Sequence, residues 1–144
     1  MNEIARLQKY LALARGCAGW TAATLAEKLG VKRQTVSTIE QVNGHYQMTR
    51  MQYLAIRKVF DDEIAASKNE TRMLYYVLDA LVDHPDKYTE AERKLIFNEA
   101  RRLTPSIIKE PQTRKDANKV WKTILAASGI VVSIGLLTFL KKKL

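Results

Sequence analysis

The sequence predicts an all-α chain, and three patterns in it carry that expectation. Between Thr21 and Glu40 the apolar residues Leu25, Ala26, Leu29, Val36 and Ile39 keep helical spacing on both sides of a break at Gly30. Two further apolar stripes, Leu74, Val77, Leu78 and Leu81 and then Ile96, Ala100 and Leu103, have the same period and are parted by the breaker His84-Pro85. Thr123 to Leu140 is an unbroken run without a charge. As a helix it would extend about 27 Å, close to the hydrocarbon thickness of a bilayer.

Taken in order, Asn2 to Ala14 places Ile4, Leu7, Leu11 and Ala14 on one side of a first helix, with Arg6 and Lys9 on other faces. Cys17, the single cysteine, excludes an intramolecular disulfide, fits a reducing compartment, and reads as a small buried hydrophobe near Ala14, Ala18 and Trp20. Trp20 is a core anchor, and Thr21 can cap the second helix by accepting from its free N–H groups. Gly30 suits the left-handed conformation that ends a helix, and Ala26 is small where two steeply crossing helices would touch. The result is helix-turn-helix spacing. The third helix, about Lys32 to Gln41, turns Val36 and Ile39 inward and Lys32, Arg33, Gln34, Ser37 and Thr38 outward. Thr49 caps a fourth helix, about Arg50 to Phe60, whose inward side is read as Met51, Leu54, Ala55 and Val59. Asp61-Asp62-Glu63 can start a short fifth helix, since acidic side chains favour a helix N-terminus.

Within this stretch Gly19-Trp20-Thr21-Ala22, Leu25 to Val31, Arg33 to Ser37 and Ile39-Glu40 resemble the Cro/CI-type (XRE) helix-turn-helix family, and the resemblance covers residues 3–66. It implies a five-helix DNA-binding domain in which Arg33, Gln34, Ser37 and Thr38 occupy base-reading positions and Lys32 a phosphate position. The side-chain chemistry agrees. Arg bonds bidentately to guanine, Gln to adenine, and Ser or Thr to several base edges. A polar solvated face is the competing reading, above all for Ser37 and Thr38. The turn Asn43-Gly44-His45-Tyr46 lies against the DNA backbone in the family, which makes Asn43, His45 and Tyr46 phosphate neighbours; a plain surface turn fits as well. One position departs from the family, which usually has Gln where this chain has Ala22. Losing that support for a phosphate contact weakens backbone anchoring by about 1.5–3 kcal/mol at most.

The net charge of +9 favours polyanionic partners, but it is unevenly spread. Residues 1–66 hold nine basic and six acidic side chains, residues 67–120 eleven and nine, and residues 121–144 four and none. A basic surface on the first part must therefore come from placement. The two stripes after residue 66, the second opened by the capping-box pattern Thr89-Glu90-Ala91-Glu92, make a helical hairpin over 67–103. It could close on itself, on the first domain or on a second subunit. Cro/CI-like proteins generally bind as dimers, so the hairpin is a candidate homodimer contact as well as a structural element. Thr104-Pro105 and Pro111 mark 104–118 as a linker. Residues 119–144 are then a transmembrane helix with a basic tail: Trp121 takes an interface position, and Lys122 and Lys141-Lys142-Lys143 anchor its two ends in the head groups. The lysines and arginines before the segment outnumber those after it, which puts the N-terminal domain in the cytoplasm.

His84 and the carboxylates around it have neither metal-ligand nor catalytic spacing, so the sequence predicts no enzyme, no metal and no cofactor. The expected function is a bacterial or phage membrane-tethered, sequence-specific DNA-binding protein, a transcriptional regulator whose partners are double-stranded DNA, the bilayer and a second copy. Two alternatives stay open. RodZ-type cell-shape proteins look similar in joining such a domain to a transmembrane helix and use it to hold a cytoskeletal protein; a DNA-to-membrane anchor in replication or partition is the other.

Overall fold

The computed structural model describes residues 1–41, 43–110 and 114–127, and every element among them is helical. Its first helix, α1 (Glu3–Ala18), starts where the Asn2 side chain accepts from the Ala5 N–H and ends at Gly19, whose φ of 81° supplies the left-handed turn. Helix α2 (Ala22–Leu29) is capped by Thr21 and closed by Gly30 at φ 70°. Three residues later α3 (Arg33–Glu40) begins. Helix α4 (Arg50–Ala66) opens with a full capping box, Thr49 and Gln52 each bonding the other's backbone N–H. After a short 3₁₀ turn comes α5 (Arg72–Val77), which widens over Leu78–Asp83 into a π-helical turn. Thr89 and Glu92 form the second capping box, at the head of α6 (Glu90–Lys109). The last described helix is α7 (Arg114–Ala127).

One continuous core joins these helices. Leu7, Leu11, Leu25, Val36, Ile56 and Phe60 are buried together with Met73, Leu74, Val77, Ile96 and Ile107. Helix α1 is central: it packs on α3 and α4 on one side and on α5, its π turn and α6 on the other. The approach to α6 is tight at Gly16, where a Cβ would sit 3.0 Å from Thr104 Cβ. Trp20 stacks flat on Phe60, ring centroids 5.6 Å apart. Cys17 is fully buried, and loss of solvent pushes its thiol far above the ordinary range. Native protein should therefore resist thiol reagents. An Ellman assay is expected to register one thiol only after denaturant is added; prompt labelling of the folded chain would show that α1 opens at its C-terminal end.

Several sequence expectations are corrected. Met51 and Leu54 are 81% and 54% exposed, and Ala55 also faces solvent; the inward side of α4 is Ile56, Phe60 and Ile64. No fifth helix starts at Asp61, because α4 is continuous there and its acidic residues find partners within it and on α7: Asp61 pairs with Arg57, Asp62 with Lys58 and Glu63 with Arg114 of α7. The hairpin stripes close on α1, with Leu74, Val77, Leu78, Leu81, Ile96 and Ala100 all buried in this one chain. Leu103, the last residue of the second stripe, is only half-buried.

The expected linker over 104–118 is mostly helix. Helix α6 runs through Pro105 to Lys109, and α7 begins at Arg114. Proline cannot donate to the Arg101 carbonyl one turn back; the Thr104 hydroxyl donates to it instead, at 3.3 Å. Burial of Ile107 then holds the last turn in place. Helix α7 is equally tied down. Asn118 accepts from the Met73 N–H at 2.9 Å and donates to the Glu70 and Arg114 carbonyls, each at 2.8 Å. Arg114 donates to Glu63 at 2.6 Å and to the Ala18 carbonyl at 2.9 Å. Trp121, expected at a membrane interface, is 0% exposed in the protein core. No helix among the described residues is long and apolar enough to cross a membrane. Of the expected span, Thr123 to Ala127 ends α7, and 128–140 lie outside the described residues together with the lysines that follow.

Candidate nucleic-acid interface

Burial of Val36 and Ile39 fixes which side of α3 meets solvent. Lys32, Arg33 and Gln34 are exposed, while Ser37 and Thr38 are half-buried. Arg33, Gln34, Ser37 and Thr38 thus share one outward face. Their freedom differs. The Thr38 hydroxyl donates back to the Gln34 carbonyl at 2.9 Å, which leaves its oxygen to accept and its methyl to make apolar contacts. Among the described residues no hydrogen bond or ion pair holds the Lys32, Arg33 or Gln34 side chains, and Lys32 leaves the first turn of α3 without a side-chain cap. Open amides at that end add the positive end of the helix dipole to two cationic side chains.

The face is held from behind by two residues of α1 that the sequence reading passed over. Arg15 clamps Glu40 at the end of α3 with a two-point contact, Nε to Oε2 at 2.8 Å and Nη2 to Oε1 at 3.0 Å, and gives its third donor to the Trp20 carbonyl at 2.9 Å. Both partners are largely buried, so screening by solvent is weak. Gln8 does the same for the loop after α3. Its Nε2 donates to the Ile39 carbonyl at 3.1 Å and the Tyr46 carbonyl at 2.8 Å, and its Oε1 accepts from the Met48 N–H at 2.9 Å. A signal for both was present: Gln8 and Arg15 follow Leu7 and Ala14 directly, and Arg15 stands one turn after Leu11, so polar side chains border the apolar stripe of α1.

Asn43 and His45 are exposed on that loop, which begins with a turn closed by the Gly44 N–H on the Gln41 carbonyl at 3.1 Å. The Tyr46 hydroxyl is taken up by the Gln52 side-chain amide at 2.8 Å, so its ring braces the loop against the head of α4. Ala22 occupies the first turn of α2 half-buried, with no polar atom to offer a phosphate. The arrangement therefore brings together Arg33, Gln34, Ser37 and Thr38 on one helix and fastens the loop bearing Asn43 and His45 to the same α1. Among the described residues no group of His, Cys, Asp or Glu is placed to hold a metal ion. Compared with family models, curated proteins and solved structures, the chain matches none.

Proposed function

We propose that this chain is a sequence-specific double-stranded DNA-binding protein of Cro/CI-like type, held at the membrane by the apolar segment at its C-terminus and acting as a transcriptional regulator. One observation carries the reading: Arg33 and Gln34 stand exposed at the open end of a short helix whose other end is clamped by Arg15. A major-groove helix needs that combination of free bidentate donors and a fixed axis. Lys32 supplies a phosphate contact, Ser37 and Thr38 reach neighbouring base edges, and Asn43 and His45 meet the backbone. The membrane part rests on the uncharged residues that follow α7, 128–140, and on the three lysines after them, with the helical domain on the cytoplasmic side. Homodimers belong to the same proposal; the open side of the hairpin and the exposed Met51 and Leu54, one turn apart on α4, are two surfaces that a second copy could use.

A random duplex pool offered to the full chain in detergent at several salt concentrations tests the reading. Selection should enrich one motif. Arg33→Ala should lose about 1–3 kcal/mol of discrimination at one base position while weak, salt-dependent binding survives. Lys32→Ala should instead weaken all sequences alike and lower the salt slope by about one. With no motif enriched and Arg33→Ala indistinguishable from the parent, the reading fails. The protein-binding scaffold, favoured by Ala22 and by the exposed apolar side of α4, then takes its place.

A further inference from the structure

An open trough of about 920 Å³ runs between α1 and α6, away from the α3 contacts described above. Its floor is apolar and aromatic: Tyr10 and Phe97 meet edge to face with centroids 6.0 Å apart, and Leu13 extends the floor along α1. Its rim is basic, with Lys9 on one bank and Lys94 and Arg101 on the other. Arg93 adds a fourth cation, turned partly inward to bond the Pro85 and Tyr88 carbonyls. Glu90 is the one acidic residue of the lining, and it sits 3.6 Å from Lys94. Among the described residues neither Lys9 nor Arg101 has an ion-pair partner; Lys9 lies over the Tyr10 ring at 5.3 Å.

We propose that this trough is a docking site for an acidic amphipathic helix of a partner protein. Three features choose that occupant. The trough follows α6 from residue 90 to residue 104, about 21 Å at helical rise, which matches four turns of a peptide helix laid into a groove. It is open along one side, so it cannot wrap most of a small ligand's surface as a small-molecule pocket does. Its rim demands carboxylates, and the chain's own apolar candidates bring none that are free. Residues 128–144 contain no Asp or Glu, and on the exposed side of α4 that a second copy would present, Arg50 and Lys58 flank Leu54 while the acidic side chains further on, Asp61, Asp62 and Glu63, are already held by Arg57, Lys58 and Arg114. Apolar side chains at three- and four-residue spacing would cover Tyr10, Leu13 and Phe97, and flanking carboxylates would meet Lys9, Lys94 and Arg101. The site is separate from the α3 face and does not depend on DNA binding.

The probe is a fluorescein-labelled 15-residue peptide with leucine at helical spacing and glutamate elsewhere, beside a counterpart with lysine for glutamate. Anisotropy is read with the full chain in a mild nonionic detergent. The acidic peptide should bind and the lysine peptide should not. Lys9→Glu with Arg101→Glu, both exposed and remote from the core, should weaken the acidic peptide at least tenfold with an unchanged circular dichroism spectrum, and Arg33→Ala should leave it unaffected. Phe97→Ala should weaken it as well. Equal binding of both peptides, or indifference to the double charge reversal, would overturn the proposal. So would saturable displacement of the acidic peptide by palmitate, which would make the trough a small-amphiphile site. Loss of self-association in the charge-reversed variant would make it a contact between copies and overturn the proposal too.

Discussion

Trp121→Ala is expected to cost about 3–5 kcal/mol of folding stability, the range for emptying a fully buried large aromatic site. It should lower the thermal midpoint of the helical domain by roughly 10 °C or more. The loss arises because Trp121, with Ala117 and Leu125, is the buried side of α7, and because α7 covers α5 and α6. Trp121→Phe should cost far less. The indole Nε1 is buried with no hydrogen-bond partner among the described residues, so the smaller ring gives up some packing but removes a donor left unsatisfied there, a penalty of about 1–3 kcal/mol in its own right. Thermal melts of the three proteins, followed by circular dichroism, make the comparison. If Trp121→Ala melts with the parent and changes only its partition into detergent, Trp121 belongs to a membrane interface and α7 is not part of the core.

Glu40→Ala is expected to cost about 3 kcal/mol or more, because it strands the Arg15 guanidinium, largely buried and still bonded to the Trp20 carbonyl, without its counter-charge. The same substitution should weaken specific DNA binding although Glu40 lies at the far end of α3 from Arg33. With the clamp gone, the helix axis is held by Val36, Ile39 and the Gln8 bond to the Ile39 carbonyl. The paired replacement Arg15→Met with Glu40→Met should recover much of the stability, since apolar side chains of similar volume can replace a buried ion pair at little cost. Chemical denaturation of the two singles and the double gives the coupling energy. Additive losses would mean that the pair contributes no mutual stabilisation.

Local chemistry was readable from sequence wherever a single side chain decides the outcome. Thr21, Thr49 and Thr89 cap the helices expected of them, and Gly30 takes the left-handed turn. The outward side of α3 was readable for a related reason: its two large apolar residues leave one choice of face. Helix α4 gave two. Met51, Leu54 and Ala55 make as good a stripe as Ile56, Phe60 and Ile64, and contacts across the core, the stacking of Phe60 on Trp20 among them, select the second. Pro105 misled for the opposite reason, since a strong local breaker was outweighed by burial of Ile107 and by the Thr104 hydroxyl. In the candidate site, Arg33, Gln34, Ser37 and Thr38 could be named because outward polar residues announce themselves by period. Arg15 and Gln8 show in the sequence only as polar residues bordering the stripe of α1; what they hold could not be named, since Glu40 and the loop after α3 lie 25 and 31 or more residues away.

The docking of α7 changes what a membrane attachment would mean mechanically. A coil over 104–118 would have let the helical domain roam about 20 Å from its anchor point. Asn118, Arg114 and Trp121 remove that slack up to the end of α7. Under the membrane-anchored reading no slack lies between the domain and the end of α7, and its search is lateral diffusion in a sheet. Only duplex segments that bend or drift down to that layer can be captured, so the reach of such a regulator is set by the geometry of the chromosome and not by the length of a leash.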